Sequence, residues 1–285
     1  MNKAFLDFSC MLACWPASRC MCMTANRSGF CPRTAQRAFS LVELSIVLVI
    51  LGLLTGGILT GQNLIRAAEL RSVTTEFQRY NAAVMTFRDK YFALPGDMTN
   101  ATDFWGAMAN CDAASPSGTG KQTCNGNGNG IIGLPAAAVQ TGEVFMFWQH
   151  LANAGLIDGS YTGIAGSGGP GHTISDENAP SGRLSSSAWF SSHHVVAVPH
   201  FNRDLGNVLY IGGQLPNVSP YGQIFLPEEV WNIDKKLDDS KPGTGNVTPM
   251  EYANCTNAAN ANDFSADYDL SKTSASCFIT FVGGW

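Results

Sequence analysis

An apolar run of 23 residues, from Phe39 to Gly61, most constrains what this chain can fold into, because it carries a single formal charge, at Glu43. About 20 such residues suffice to cross a bilayer as a helix. The apolar region of a secretory signal peptide is usually about 7–15 residues long and ends at a small-residue cleavage site. Here the run is longer, and the small residue, Ala38, precedes it. The sequence therefore predicts a membrane-spanning helix over residues 39–61.

Charge differs on the two sides of this run. Residues 1–38 carry five basic residues against Asp7, a net charge of +4, whereas the rest of the chain carries 12 basic and 21 acidic residues, a net charge of −9. Positive residues beside a membrane helix stay in the cytoplasm, which predicts a single pass with the N-terminus inside and the acidic bulk translocated. The negative charge and the lack of a basic stripe exclude nucleic acid as a partner.

The start of the run carries a specific motif. It reads Ala38-Phe39-Ser40-Leu41-Val42-Glu43-Leu44. Over about residues 37–66 the chain resembles the class III signal of type IV pilins and type II secretion pseudopilins. The resemblance implies that a prepilin peptidase cleaves between Ala38 and Phe39, that the new amino group of Phe39 is methylated, and that Glu43 becomes the fifth mature residue. The family usually has Gly before the cut; Ala38 is the nearest substitute in size, so we still expect cleavage.

Glu43 has two interpretations. A carboxylate near hydrocarbon costs about 2.5–3.5 kcal/mol on insertion scales, so such residues tend to be paired and functional. On the residues alone, Glu43 could equally reach the headgroup layer and favour the positive end of the helix dipole. The resemblance implies that it meets the N-terminal amine of a neighbouring subunit during filament assembly, and we favour that role.

The resemblance also sets the expected organisation of the chain. We expect residues 1–38 to be a leader that is removed, 39–61 the transmembrane half of the N-terminal helix, 62–94 its periplasmic half, and 95–285 a globular periplasmic domain. The leader holds five cysteines at spacings that match no zinc site, and Met21 or Met23 would give a shorter leader than Met1. We therefore assign these thiols no function: Cys10, Cys14, Cys20, Cys22 and Cys31.

Four cysteines remain after the leader, an even number that suits an oxidising compartment. They are Cys111, Cys124, Cys255 and Cys277, and they allow three connectivities. We predict the two local pairs, because each would close a loop too polar to hold itself. On the loop-entropy model each bond would contribute about 3–4 kcal/mol. A C-terminal disulfide loop also resembles many type IV pilins.

Beyond residue 61, apolar residues follow one helical face in steps of three and four. The face comprises Val73, Phe77, Tyr80, Val84, Phe87 and Tyr91. Charged residues, Glu76 among them, are predicted on the other faces. Pro95-Gly96 predicts that the helix ends at Leu94.

The remaining pattern predicts an α+β fold, with the long helix packed on a mostly antiparallel sheet that carries loop insertions. Further helices are predicted over residues 102–109, 143–157 and 227–236, with His150 at the surface or in a cap. Strands are predicted over residues 188–190, 195–198, 208–211, 223–226 and 277–282.

Two segments suggest calcium. Asn125, Asn127 and Asn129 with Gly130 and Ile132 match the first half of a calcium loop. However, these side chains are neutral, and Ala136 stands where a bidentate Glu is expected. The alternative is a flexible loop clasped by Cys111 and Cys124.

The second segment holds Asp234, Asp238 and Asp239 within six residues. These carboxylates could bind calcium, or they could cap a helix and turn with Lys235 and Lys241 as counterions. Zinc at His193, His194 and His200 is disfavoured, because adjacent histidines on a strand do not readily point to one metal.

These features together predict a structural subunit of a type II secretion pseudopilus or a type IV pilus, and not an enzyme. Its partners would be the prepilin peptidase, other pilin or pseudopilin subunits and the inner membrane. No cofactor other than calcium is suggested. One alternative is a minor pilin that initiates or tips a filament, since about 190 residues are many for a major subunit. Another is a membrane-anchored periplasmic enzyme or binding protein, although no nucleophile elbow, metal triad or phosphate loop is present.

Overall fold

A computed structural model describes residues 40–111, 115–136, 139–194, 200–249 and 252–285. The predicted cleavage pair Ala38 and Phe39, the leader cysteines and the predicted strand over residues 195–198 lie outside the described residues. Contacts divide the chain into one unit that ends at Leu54 and a second that begins at Thr55.

The first unit is helical in its described part. Helix α1 comprises Leu41–Tyr91 and begins in this unit. Every described residue of the unit is exposed, including large apolar side chains such as Leu41, Ile46 and Leu53. The described apolar side chains of this unit therefore leave about half or more of their surface uncovered within the chain.

The second unit is an α+β domain, in agreement with the predicted fold class. In the described residues its sheet has four strands: β1 (Ser187–His194), β2 (Gly206–Gly213), β3 (Val247–Pro249) and β4 (Ile279–Val282). The strand order is β1-β2-β4-β3, and every neighbouring pair is antiparallel. The shorter helices are α2 (Ala101–Trp105), α3 (Glu143–Asn153), α4 (Pro227–Leu237) and α5 (Tyr252–Cys255). A long apolar helix followed by a four-stranded antiparallel sheet agrees with a pilin-like fold.

The predicted apolar face of α1 is confirmed. Phe77 stacks on Phe281 of β4 with ring centroids 4.4 Å apart. Tyr80 makes edge contacts with Trp148 of α3 and Trp189 of β1, at 5.1 and 5.4 Å. Aromatic pairs of this kind add to the free energy gained by burying apolar area. The face thus joins α1 to the sheet and to α3.

Several predicted boundaries change. Helix α1 ends at Tyr91 and not at Leu94, because Phe92 adopts a left-handed conformation with φ of 54°. Helix α2 stops before Gly106, whose φ is 84°, and α3 stops two residues before Gly155. The strand predicted over residues 223–226 is wrong: Phe225 makes only an isolated bridge with Cys277.

The burial of two residues differs from the prediction. Glu76 is buried, and its Oε2 accepts a hydrogen bond of 2.7 Å from the indole Nε1 of Trp189. Burial raises the pKa of the Glu76 carboxyl above its ordinary value. His150, predicted at the surface or in a cap, is fully buried. In both cases the residue that forms a hydrogen bond with the buried side chain is distant in sequence.

Candidate functional site

The start of α1 has a variant of the capping box, in which the serine oxygen accepts from the second helical residue instead of the third. The Ser40 Oγ accepts a hydrogen bond of 3.3 Å from the backbone nitrogen of Val42. The Oε2 of Glu43 accepts one of 3.0 Å from the backbone nitrogen of Ser40. The carboxylate thus satisfies a backbone donor that would otherwise lack a partner at the helix end. Within its own chain, Glu43 stabilises the first turn of α1.

The apolar part of α1 is suited to a membrane. Among the described residues, α1 is the one helix long and apolar enough to cross a bilayer. Its most apolar 18 residues have a mean hydropathy of 2.4. No residue of this 18-residue segment is buried within the chain. Water does not favour such a surface, and its length and composition fit membrane anchoring.

The Asn/Gly loop predicted as half of a calcium site is built around a carboxylate. Asp97 is buried, and its Oδ1 accepts hydrogen bonds from the backbone nitrogens of Gly128 and Asn129, at 2.6 and 3.1 Å. Its Oδ2 accepts one of 2.8 Å from Gly130. Consecutive backbone N–H groups form an anion-binding concavity of this kind. The loop therefore surrounds a negative charge that belongs to the chain itself.

The asparagine oxygens of this loop are also engaged. The Oδ1 atoms of Asn125, Asn127 and Asn129 accept hydrogen bonds from the backbone nitrogens of Thr102, Asn129 and Ile131, respectively, at 2.8–2.9 Å. These bonds fix the turns of the loop. Calcium at this loop stays a prediction, and these contacts lend it no support.

Glu143 holds the same loop from α3. Its Oε1 accepts a hydrogen bond of 3.2 Å from the backbone nitrogen of Asn127, and its Oε2 accepts one of 2.9 Å from Gly133. Burial raises the pKa of the Glu143 carboxyl. Neither Asp97 nor Glu143 was expected from the sequence to organise this loop, because nothing in its local pattern links it to them.

The acidic turn after α4 does bring its carboxylates together. Single oxygens of Asp234, Asp238 and Asp239 lie within 4.8 Å of one another. Burial raises the pKa of Asp234 to about 7, and the charges of the other two carboxylates add to that effect. Carboxylate oxygens in such a cluster are ligands of the kind that calcium prefers.

The same three carboxylates are also bonded within the chain. Asp234 accepts hydrogen bonds from the Tyr268 hydroxyl, at 2.7 Å, and from the Ser240 backbone nitrogen, at 3.1 Å. Asp238 accepts from the backbone nitrogens of Asn246 and Val247, and Asp239 accepts from Lys241 and Thr244. These contacts hold the turn as the capping alternative requires, but the expected counterions lie elsewhere: the Nζ of Lys241 pairs with Asp267 at 2.6 Å, and that of Lys235 lies over the ring of Trp231. Calcium binding here stays a prediction.

The histidines considered for zinc do not gather around one point. His194 and His200 have ring centroids 4.5 Å apart, whereas the Nδ1 of His193 is 3.2 Å from the Oδ1 of Asn207. Among the described residues, the acidic turn is the one group of three or more His, Cys, Asp or Glu side chains spaced to hold a metal.

Both predicted disulfides are present. Cys111 is bonded to Cys124 with their Cα atoms 5.7 Å apart, and Cys255 to Cys277 with their Cα atoms 5.1 Å apart. The first bond closes the segment that leads into the Asn/Gly loop, and the second joins α5 to the residues before β4. The polar loops around these cysteines are thus covalently anchored to the core.

Comparison with known proteins identifies the beginning of the chain. Residues 33–59 match the family model of the prokaryotic N-terminal methylation motif. No curated protein and no solved structure matches the chain. The matched segment contains Ser40 and Glu43, which form the capping box, and most of the exposed apolar surface of α1.

Proposed function

We propose that this chain, which carries the N-terminal methylation motif that is the signature of type IV pilins and pseudopilins, is a structural subunit of a type II secretion pseudopilus or a type IV pilus. A prepilin peptidase would cleave it between Ala38 and Phe39 and methylate Phe39. Before assembly it would lie in the inner membrane with a single pass, its N-terminus in the cytoplasm and its disulfide-bonded domain in the periplasm. The observation that carries the proposal is the methylation motif at the head of an exposed apolar helix.

The exposed surface of α1 provides the means of assembly. In lipid, helices associate through close packing and interhelical polar contacts, because burial from hydrocarbon offers no hydrophobic gain. Apolar side chains alone therefore give little register to a bundle of such helices. Glu43 is the only formal charge between Phe39 and Gly61. We propose that its carboxylate pairs with the amine of Phe39 in a neighbouring subunit and sets that register.

Two alternatives remain open to experiment. A minor subunit that initiates or tips the filament would share the motif and Glu43 but occur in few copies. A membrane-anchored periplasmic enzyme or binding protein would require a membrane helix but neither the processing site nor Glu43. The behaviour of Glu43 variants therefore separates the filament subunit from the anchored protein.

Glu43 variants also separate its two roles. Glu43→Gln can still form the capping box, whereas Glu43→Ala cannot. We expect both variants to be cleaved and to assemble at least tenfold less than the wild type, because losing one partner of a buried charge pair costs about 2–5 kcal/mol. The measurement is quantitative electron microscopy of filaments together with immunoblotting of the processed subunit.

Asp89→Asn is a matched control, because Asp89 is an exposed carboxylate on the same helix. Normal assembly of Glu43→Gln with failure of Glu43→Ala would assign capping alone to Glu43. Normal assembly of both would contradict the proposed role of this residue, and a wild-type chain that enters no filament would contradict the proposed function.

A further inference from the structure

The loop around Asp97 contains three consecutive Asn-Gly pairs: Asn125-Gly126, Asn127-Gly128 and Asn129-Gly130. The three asparagines are exposed to water. In an Asn-Gly pair, the glycine nitrogen can lose its proton and attack the side-chain carbonyl carbon of the asparagine. Ammonia leaves, a cyclic succinimide forms, and one water molecule then opens it to aspartate or isoaspartate. Glycine favours this reaction because it carries no side chain to obstruct the attack and its backbone is free to rotate.

The fold requires glycine at each of these positions. A Cβ on Gly126 would overlap the backbone of Asp97. Gly128 and Gly130 have φ of 73° and 79°, a conformation that other residues adopt only with strain, and a Cβ on Gly128 would lie 2.6 Å from the Cγ2 of Thr99. The chemical liability therefore follows from the geometry of the loop.

The same structure occupies the nitrogen atoms that the reaction needs. The nitrogen of Gly128 donates to the Oδ1 of Asp97 at 2.6 Å, and that of Gly130 donates to the Oδ2 at 2.8 Å. Attack requires each nitrogen to lose its proton, which would place a negative nitrogen beside a buried carboxylate. Like charges at this distance repel each other. The carboxylate thus opposes the first step at both sites.

We propose that Asn127 and Asn129 form a latent deamidation site that Asp97 keeps unreactive. Each event would convert a neutral amide into a carboxylate, with one water consumed and one ammonia released. The backbone nitrogen of Asn127 lies 3.2 Å from the Oε1 of Glu143, and that of Asn129 lies 3.1 Å from the Oδ1 of Asp97. A new acid at either position would add negative charge to a loop that already contacts these two carboxylates. The first conversion would therefore loosen the loop and expose the second pair.

Asn125 provides an internal control. Its attacking nitrogen would be that of Gly126, which donates to the backbone oxygen of Met98 at 2.8 Å and not to a carboxylate side chain. Replacing Asp97 with Asn removes the charge at nearly constant shape and leaves this backbone bond available. The variant should therefore affect the last two pairs more than the first.

The experiment compares the full oxidised chain in detergent with its Asp97→Asn variant and a synthetic peptide of residues 121–132, all held in mildly alkaline buffer. Peptide mapping by mass spectrometry gives the rate at each asparagine, and enzymatic methylation of isoaspartate confirms the product. We expect the wild-type loop to deamidate at least about tenfold more slowly than the peptide, because reaction requires local opening. Asp97→Asn should recover most of that factor at Asn129 and part of it at Asn127, because the nitrogen of Gly128 keeps its bond of 3.1 Å to the backbone oxygen of Asp97. Asp103→Asn, which alters an exposed carboxylate on α2, should match the wild type.

Two results would overturn the proposal: a wild-type loop that deamidates at the peptide rate, or an Asp97→Asn variant as slow as the wild type at both sites. If that variant fails to fold, hydrogen exchange in the wild-type chain decides instead. Slow exchange of the Gly128 and Gly130 amides would support the proposal, and exchange at the rate of the free peptide would contradict it.

Discussion

The imidazole of His150 connects three segments of the domain. Its Nδ1 accepts a hydrogen bond of 3.0 Å from the backbone nitrogen of Gly96, so its proton lies on Nε2, which is 3.0 Å from the Thr123 hydroxyl. That hydroxyl donates to the Oε1 of Gln149 at 2.6 Å. The Thr123 hydroxyl also lies 3.4 Å from the backbone oxygen of Cys124. Because the Nδ1 of His150 accepts a hydrogen bond, the arrangement requires a neutral imidazole. Burial lowers the pKa of His150 to about 3.

This network predicts a loss of stability in acid. An unfolded histidine has a pKa near 6.5, so between about pH 6.5 and pH 3 the unfolded chain binds a proton that the folded chain does not. The part of the unfolding free energy that comes from the neutral, buried His150 is fully present above this range. It is lost as the pH falls through the range, at up to about 1.4 kcal/mol per pH unit. Urea unfolding of the protein at several pH values measures the effect.

His150→Gln is the informative variant, because its side-chain oxygen can still accept the bond from Gly96 but does not titrate. The slope of unfolding free energy against pH should be shallower than in the wild type by the equivalent of one proton. His194, whose pKa burial lowers to about 4, contributes equally to both chains. Equal slopes would show that His150 is not the group responsible.

How far single residues could be predicted depends on how near their partners lie. The Glu43 side chain accepts a hydrogen bond from Ser40, three residues away, and its place at the positive end of the helix was expected. Glu76, which was predicted on a polar face, accepts a hydrogen bond from Trp189, a residue 113 positions away. Helical spacing describes the faces of one helix but carries no information on a distant indole that needs an acceptor. The burial of His150 escaped prediction for the same reason.

At the scale of elements, an ion pair joins α1 to α4. The guanidinium of Arg66 contacts both carboxylate oxygens of Glu229, at 2.6 and 2.7 Å, and also donates to the backbone oxygen of Ile224 at 2.8 Å. Glu229 in turn accepts a bond of 2.9 Å from the backbone nitrogen of Leu226 and so caps α4. The fork of an arginine matches a carboxylate in a way that the single ammonium of a lysine cannot.

We therefore expect Arg66→Lys to destabilise the domain by about 1–3 kcal/mol, because the paired hydrogen bonds to Glu229 are lost in a partly buried site. Arg71→Lys is the control, since Arg71 is exposed on the same helix. Thermal unfolding followed by circular dichroism measures both. A change for Arg66→Lys no larger than the control would show that this pair contributes little to stability.

Elements with strong local signals were predicted well. Pro227 and the acidic residues that follow it predicted a helix over residues 227–236, and α4 comprises Pro227–Leu237. In contrast, β3 has three residues, too few to show an alternating pattern, and it was not predicted. The segment at residues 223–226 looked like a strand because its apolar residues suit one, yet Phe225 fills the core beside Cys277 without joining a ladder.

At the scale of the whole molecule, the fold class followed from the sequence but the topology did not. The periodicity of α1 and the local strand patterns predicted a long helix and several strands. The resemblance to the pilin family implied that the helix packs on a mostly antiparallel sheet. The strand order requires β2 to pair with β4, so that Val208 lies opposite Val282. No local pattern specifies a pairing between residues so far apart in sequence. The methylation motif, in contrast, is a contiguous signal, and the sequence comparison confirms it.

The central claim is that this chain is a processed filament subunit, and its most direct test is the N-terminus of the mature protein. The full chain is expressed with and without a prepilin peptidase, extracted from membranes, and examined by N-terminal sequencing and intact mass. Ala38→Gly, which restores the residue usual before the cut, should be cleaved at least as fast as the wild type, and a bulky residue in Ala38→Leu should slow cleavage. We predict a chain that begins at N-methylated Phe39 only when the peptidase is present. An intact leader under both conditions, or a cut after Gly61, would contradict the account.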